Sequence, residues 1–230
     1  MAIELEPVDE KNLQLAVETA IAIFDERDRE GIELEFKAAA GFDGAADAAA
    51  DELRIVNPHY FLAKRDGVPV GVTGYYNIQD HEEDVWLGWI GVLDDFQHQG
   101  IGGVLVKEAF ARAAANADAD NLRIWTTQES HYEGARVLYK KMGFVEEPYK
   151  PGAADAAKLV SVFSKSLEPA KNDDFMWKNS AYYPIDCERF VVPELNERMG
   201  LKPEAKPHHS HHAAVNAPLP VWRRPLRELE

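Results

Sequence analysis

The chain of 230 residues has one cysteine, Cys187. An intrachain disulfide framework is excluded, and the composition fits a reducing cytoplasm. No window approaches the ~18 apolar residues of a membrane span. The opening residues Met1-Ala2-Ile3-Glu4-Leu5-Glu6 are acidic and lack the apolar run of a signal peptide. Positive charge is scarce: 25 Lys and Arg stand against 40 Asp and Glu, a net charge of −15. That balance argues against nucleic acid and anionic membrane as partners, because phosphate contacts need a basic stripe. An acidic surface favours cationic partners, amines included, through steering, and it also maintains solubility. No internal repeat is present. What the chain does have is an apolar content of 46%, enough for a core.

One stretch stands out, Gln97-His98-Gln99-Gly100-Ile101-Gly102-Gly103. It follows the apolar run from Val85 to Leu93 and opens a helix-like run from Val104 to Ala115. A strand, a Gly-rich loop and a helix N-terminus together make an anion site, since main-chain N–H groups converge there. Glycines at 100 and 102 let the backbone approach a phosphate. A P-loop would require Gly-Lys-Ser/Thr, but Gly103-Val104-Leu105 follows. A dinucleotide fingerprint would require a third glycine and a first strand of a βαβ unit, and neither is here.

Gln97-x-x-Gly100-x-Gly102 resembles the coenzyme A pyrophosphate loop of the GNAT acyltransferases. Ile90-Gly91-Val92 precedes it as that family's fourth strand does, and Leu122 to Thr127 reads as the next strand. Ala135-x-x-Leu138-Tyr139-x-x-x-Gly143-Phe144 resembles a second family signature. The resemblance covers residues 1–167. It implies an α/β fold with a mixed, mostly antiparallel twisted sheet flanked by helices, followed by a C-terminal extension at 168–230.

The remaining elements follow from local pattern. Ile3 to Val8 alternates like a strand, and Asp9 is placed to cap a helix over 10–29. Residues 38–50 read as a loop or weak helix that, by resemblance, lies over the acceptor site. His59–Lys64 and Val68–Asn77 read as strands joined at Asp66-Gly67. Residues 79–84 read as an acidic connection. Trp86 and Trp89 would lie on opposite faces of a regular strand unless Gly88 or Gly91 marks a bulge. A short helix over 132–142 ends at Gly143. Strands are expected over 144–147 and 158–166. Beyond 168, proline recurs and Phe190–Met199 reads as a helix. His208-His209-Ser210-His211-His212 reads as a polar linker rather than a metal site, since no carboxylate or cysteine sits beside it.

The resemblance implies acetyl transfer from acetyl-CoA to a primary amine by direct attack in a ternary complex. Main-chain N–H groups of His98, Gln99, Gly100, Ile101, Gly102 and Gly103 would grip the pyrophosphate, and Gln97 begins this cofactor loop where the commoner residue is Arg. Backbone of Ile90, Gly91 and Val92 would pair with the pantetheine arm, and the Val92 N–H would stabilise the oxyanion. Tyr139 would protonate the leaving thiolate. Tyr132 stands where many relatives carry an asparagine that contacts the cofactor. The amine arrives mostly protonated, with a pKa near ~10. Asp84, Glu83, Glu129, His131 and a water relay remain candidates for removing its proton. No residue in the matched region reads as a covalent nucleophile. The acceptor is a small-molecule amine or a protein amino group, and acyl length and a homodimer stay open. In another class, the chain would be a non-catalytic acyl-CoA-binding module.

Overall fold

In the computed structural model the described residues are 2–115, 119–148, 160–167 and 175–177. Strand β1 (Glu4–Pro7) leads into helix α1 (Leu13–Ile23), then α2 (Arg29–Ala39) and α3 (Ala45–Leu53). Strands β2 (Ile55–Arg65), β3 (Val68–Ile78), β4 (His81–Leu87) and the two-residue β5 (Gly91–Val92) follow. The chain continues through α4 (Ile101–Ala114), β6 (Asn121–Thr127), α5 (Glu133–Lys141), β7 (Val145–Pro148) and β8 (Val160–Ser166). The sheet order is β1-β2-β3-β4-β6-β8-β7, with β5 paired to β3. All pairings are antiparallel except β4 with β6.

Two layers of helix cover this sheet. On one face, α1 and α2 bury Ala16, Val17, Ile32 and Phe36 against Tyr60, Leu62 and Val72. There α3 adds Ala49 and Leu53 beside Trp86. On the other face, α4 and α5 bury Val106, Ala109 and Tyr139 against Val85, Leu87, Leu122, Ile124 and Phe163. Burying each large side chain stabilises the fold by about 1.5–3 kcal/mol relative to leaving it in water.

Several local expectations meet the structure directly. Asp9 accepts from the main-chain N–H of Lys11 and Asn12 at 2.9 and 3.1 Å, and its own N–H donates to Asn12 Oδ1 at 2.9 Å. These bonds close the turn that leads into α1, whose N-cap is Asn12 rather than the expected Asp9. Asp66 and Gly67 both adopt positive φ, 53° and 78°, as a tight hairpin turn requires. Gly143 ends α5 in the left-handed region at φ 83°.

Others are corrected. The helix expected over 10–29 stops at Ile23, and a separate α2 begins at Arg29. Residues 38–50 hold the end of α2 and most of α3. The acidic stretch 79–84 is largely strand, because β4 starts at His81. The helix at Phe190–Met199, the histidine cluster and Cys187 lie outside the described residues.

A buried polar network ties the start of the extension to the sheet. The Asp84 carboxylate pairs with Arg123 Nε at 2.6 Å and accepts from Asn121 at 2.9 Å. Arg123 donates to Ser164 Oγ at 2.8 Å and to the Phe175 carbonyl at 2.9 Å. The Trp177 N–H donates to Glu147 at 2.7 Å, and its ring stands edge-on to Trp86 at 6.2 Å. Pairing and hydrogen bonding offset the cost of burying these charges.

Candidate active site

The site begins where two parallel strands part. β4 pairs with β6 only from Asp84↔Asn121 to Trp86↔Arg123. Beyond Leu87 the chain turns back on β3. The Gly88 N–H still donates to the Gly74 carbonyl at 3.1 Å, and Gly91 is next in register with Val72. Trp89 and Ile90 thus stand opposite Thr73 alone, which is a β-bulge. Trp89 adopts φ 44°, a left-handed conformation that costs energy for a bulky residue. The extra residue puts Trp86 and Trp89 on the same face, both toward α2 and its neighbours. A regular strand would have separated them.

Past the bulge, the Leu93 N–H donates to the Val70 carbonyl at 3.0 Å, which directs residues 91 and 93 toward β3. Successive residues of a strand alternate, so the Val92 N–H points away from β3, into the gap left by β6. Two glycines allow this close stack. A Cβ on Gly71 would lie 2.3 Å from the Gly91 carbonyl oxygen, and one on Gly91 would lie 2.4 Å from an Ile23 methyl. Thr73 is buried, and its hydroxyl has no hydrogen-bond partner among the described residues.

The loop after β5 holds its shape by its own side chains. Gln97 donates to the Val92 carbonyl at 3.1 Å and to Asp94 at 2.8 Å. Its amide therefore braces loop against strand rather than reaching outward. Gln99 accepts from Arg65 at 2.6 Å and donates to the Asp95 carbonyl at 3.2 Å. His98 and Gly100 take positive φ, 58° and 81°. Gly100 is the N-cap of α4, so the N–H groups of Ile101, Gly102 and Gly103 open the helix without partners inside it. These donors and the helix dipole favour an anion. Gly102 sits in ordinary contact with Leu138 and Val92, at 3.6 and 3.9 Å from its missing Cβ.

Tyr139 of α5 is buried in the core on the α4–α5 face of the sheet, packed against Phe163 at 5.3 Å and Phe144 at 6.2 Å. Burial, with a smaller push from Tyr132, raises its pKa well above the ordinary phenol range. It stays protonated at neutral pH and keeps a proton to donate. Tyr132 itself precedes α5, with the His131 ring 4.0 Å from its own.

The candidate bases fare unequally. Asp84 is the buried partner of Arg123. Glu83 faces His81 at 3.5 Å at the end of β4 remote from the bulge, about 15 Å along the strand. Glu129 follows β6 on the open side and accepts from Thr127 at 3.3 Å.

Sequence reading missed a cavity of about 380 Å³ beside the loop, lined by Gly103, Lys107, Phe110, Leu138, Lys141 and Lys165 among others. Three lysines line it on an otherwise acidic chain, and the Lys165 ammonium donates to the Met142 carbonyl at 2.7 Å. The signal was legible in part: Gly103, Lys107 and Phe110 share one helix face by their spacing.

A family model for the acetyltransferase (GNAT) family matches residues 24–144, just over half the chain. No curated protein sequence matches. Solved structures share the fold. A GNAT-family protein from Desulfovibrio desulfuricans is 19% identical at a TM-score of 0.59, over 73% of this chain and 100% of its own. The acetyltransferase of GNAT family from Streptococcus pneumoniae is 18% identical at 0.51, over 73% and 100%. PaiA N-acetyltransferase from Thermoplasma acidophilum, in complex with coenzyme A, is 16% identical at 0.50, over 72% and 99%. The match across more than half the chain, on a mixed, mostly antiparallel sheet flanked by helices, means that this chain belongs to the GNAT family of acetyltransferases, acyl-CoA-dependent enzymes with acetyl-CoA as co-substrate.

Proposed function

We propose that the chain transfers an acetyl group from acetyl-CoA to a primary amine by direct attack in a ternary complex. The observation that carries this reading is the junction of three features. They are the bulge at Trp89-Ile90, the Val92 N–H facing the gap, and the Gly100-capped start of α4. The N–H groups of residues 98–103 hold the pyrophosphate by main chain, while the Gln97 N–H closes the turn onto the Asp94 carbonyl at 3.1 Å. The pantetheine arm lies in the gap between β5 and β6 and pairs with backbone of Ile90 and Val92. The nucleotide end reaches the cavity of Lys107, Lys141 and Lys165, where cations meet the 3′-phosphate.

The Val92 N–H polarises the thioester carbonyl and stabilises the oxyanion as the amine adds to the carbonyl carbon. The C–S bond then breaks, the Tyr139 hydroxyl donates a hydrogen bond that stabilises the departing thiolate, and solvent supplies its proton. The amine loses its proton to Glu129 or to a water relay. Residues 1–167 form the catalytic domain and 168–230 an extension to it, in a cytoplasmic enzyme. The acceptor is a small-molecule amine or a protein amino group. The acidic surface steers either, because both are cationic before attack.

Isothermal titration of acetyl-CoA tests the cofactor site. Micromolar binding, about −8 kcal/mol, is expected for the wild type and lost in Gly102→Glu. Release of free CoA with an amine library then tests the transfer. Binding without release from any amine would favour the non-catalytic module instead.

A further inference from the structure

A second feature of the bulge lies outside the roles assigned so far. Glu35 of α2 is 2% exposed, yet it is a carboxylate. One of its oxygens accepts from Trp89 Nε1 at 2.9 Å, and the other accepts from the Tyr60 hydroxyl. Trp89 is the left-handed residue of the bulge. Tyr60 comes from β2, two strands away from β4.

The slot that holds this trio is built in backbone. A Cβ on Gly74 would lie 2.1 Å from the Tyr60 ring, and a Cβ on Gly88 would lie 2.4 Å from the Tyr60 hydroxyl. Gly74 and Gly88 are hydrogen-bonded neighbours on β3 and β4. Their missing side chains let the Tyr60 ring cross β3 and bring its hydroxyl to the first residue past the end of β4. Phe36 stacks on Tyr60 at 4.7 Å, and Phe24 meets Trp89 edge-on at 5.1 Å. The indole is therefore fixed by the Phe24 ring and by its N–H, while Phe36 holds the Tyr60 ring.

We propose that Glu35 is a positioning residue for acyl transfer: through Trp89 and Tyr60 it clamps the bulge that aims the Ile90 and Val92 main chain at the thioester. This rests on the proposed acetyl transfer. The physical reason is strain. A tryptophan at φ 44° relaxes toward the ordinary strand region unless its surroundings over-determine it. Relaxation would draw residues 89–92 back toward regular pairing with β3 and turn the Val92 N–H off the carbonyl. Displacement of a catalytic donor by about 1 Å costs on the order of a hundredfold in rate. The pyrophosphate loop does not depend on this clamp and only the pantetheine pairing with Ile90 and Val92 slackens with it, so turnover should fall much further than cofactor affinity.

Glu35→Gln is the informative conservative variant. Its amide oxygen still accepts from Trp89, and its amide nitrogen donates to the Tyr60 oxygen, so geometry is kept while the charge is removed. Trp89→Phe keeps the ring and loses the N–H donor. Acetyl-CoA affinity is expected within about twofold of wild type in Glu35→Gln and to fall by no more than about fivefold in Trp89→Phe, where one pantetheine hydrogen bond weakens. Turnover should fall at least tenfold in Trp89→Phe and stay within about threefold in Glu35→Gln, with an unchanged pH profile. In amide NMR spectra, acetyl-CoA should shift the Val92 N–H relative to CoA in the wild type and in Glu35→Gln, but not in Trp89→Phe.

Full turnover in Trp89→Phe would overturn the proposal, as would equal losses of affinity and turnover. Loss of the basic limb in Glu35→Gln would make Glu35 a proton acceptor and overturn the clamp as well. If the wild type binds acetyl-CoA but acetylates no amine, the transfer reading fails on its own. The Val92 shift still decides the clamp in that case.

Discussion

Replacing Gly71 with alanine tests whether the close stack of β5 on β3 sets the catalytic geometry. Gly71 has no positive φ, so alanine suffers no backbone penalty there, and only the contact matters. The new Cβ would lie 2.3 Å from the Gly91 carbonyl oxygen and 3.3 Å from the Val92 Cα. Both neighbours are backbone and cannot rotate away. Strand β5 must retreat by about 1 Å to restore ordinary contact. Val92 moves with it, which predicts a fall of about a hundredfold in turnover, or about 2.7 kcal/mol of transition-state stabilisation. Overpacking should also lower the unfolding free energy by about 1–3 kcal/mol. The assay is CoA release under saturating acetyl-CoA, with calorimetric binding of CoA and urea unfolding alongside. CoA affinity should change little, because the pyrophosphate donors sit on the loop and α4. Gly134→Ala is the control: nothing lies within 4 Å of its Cβ, and the residue is in a helix. It should stabilise by up to about 1 kcal/mol without touching turnover. A Gly71→Ala enzyme that folds and turns over within twofold of wild type would refute the reasoning.

Three further outcomes follow from the same geometry. Tyr139→Phe should lower turnover about a hundredfold while leaving acetyl-CoA binding intact, read by steady-state kinetics. Because burial raises the folded pKa of Tyr139, its contribution to stability is complete below the unfolded value of about 10 and is lost as pH rises through the folded value. Thermal melts from pH 8 to 11 should show that alkaline loss in the wild type and less of it in Tyr139→Phe. Arg123→Met leaves the Asp84 carboxylate buried without its 2.6 Å partner, which should cost about 3–5 kcal/mol in urea unfolding. Adding Asp84→Asn should recover much of that. Paired Lys107→Ala and Lys141→Ala substitutions should weaken acetyl-CoA about tenfold and leave its 3′-dephospho analogue unaffected in calorimetry, since a charge-assisted contact contributes about 1.5–3 kcal/mol.

Local chemistry made much of this protein readable in one dimension. The Gly100-x-Gly102 spacing specifies a strand-to-helix loop, with Gly100 in the left-handed conformation that glycine favours, and Asp66-Gly67 specifies a tight hairpin. Gly143 marks a helix end, and alternation along 122–127 marks a strand. Each depends on residues within a few positions of one another, so sequence alone determines them. The family followed from two such motifs at a fixed separation. The gap between Ile23 and Arg29 was harder. It falls in a charged run where no glycine or proline interrupts the helical pattern, and α2 is held by packing Ile32 and Phe36 on Tyr60.

Tertiary structure decided what depends on residues far apart in the chain. Asp84 looked like an exposed acid beside an acidic connection, but Arg123 and Asn121 arrive from β6 to pair with it. The Gln97 side chain braces Val92, a partner that the loop's spacing does not reveal. Lys107, Lys141 and Lys165 meet only because α4, α5 and β8 pack together. Above all, Glu35 is an ordinary helix residue until the fold brings Tyr60 and Trp89 onto its two oxygens. Hydrogen bonds between elements depend on distances in space that chain separation does not encode, and so the loop was legible while the clamp was not.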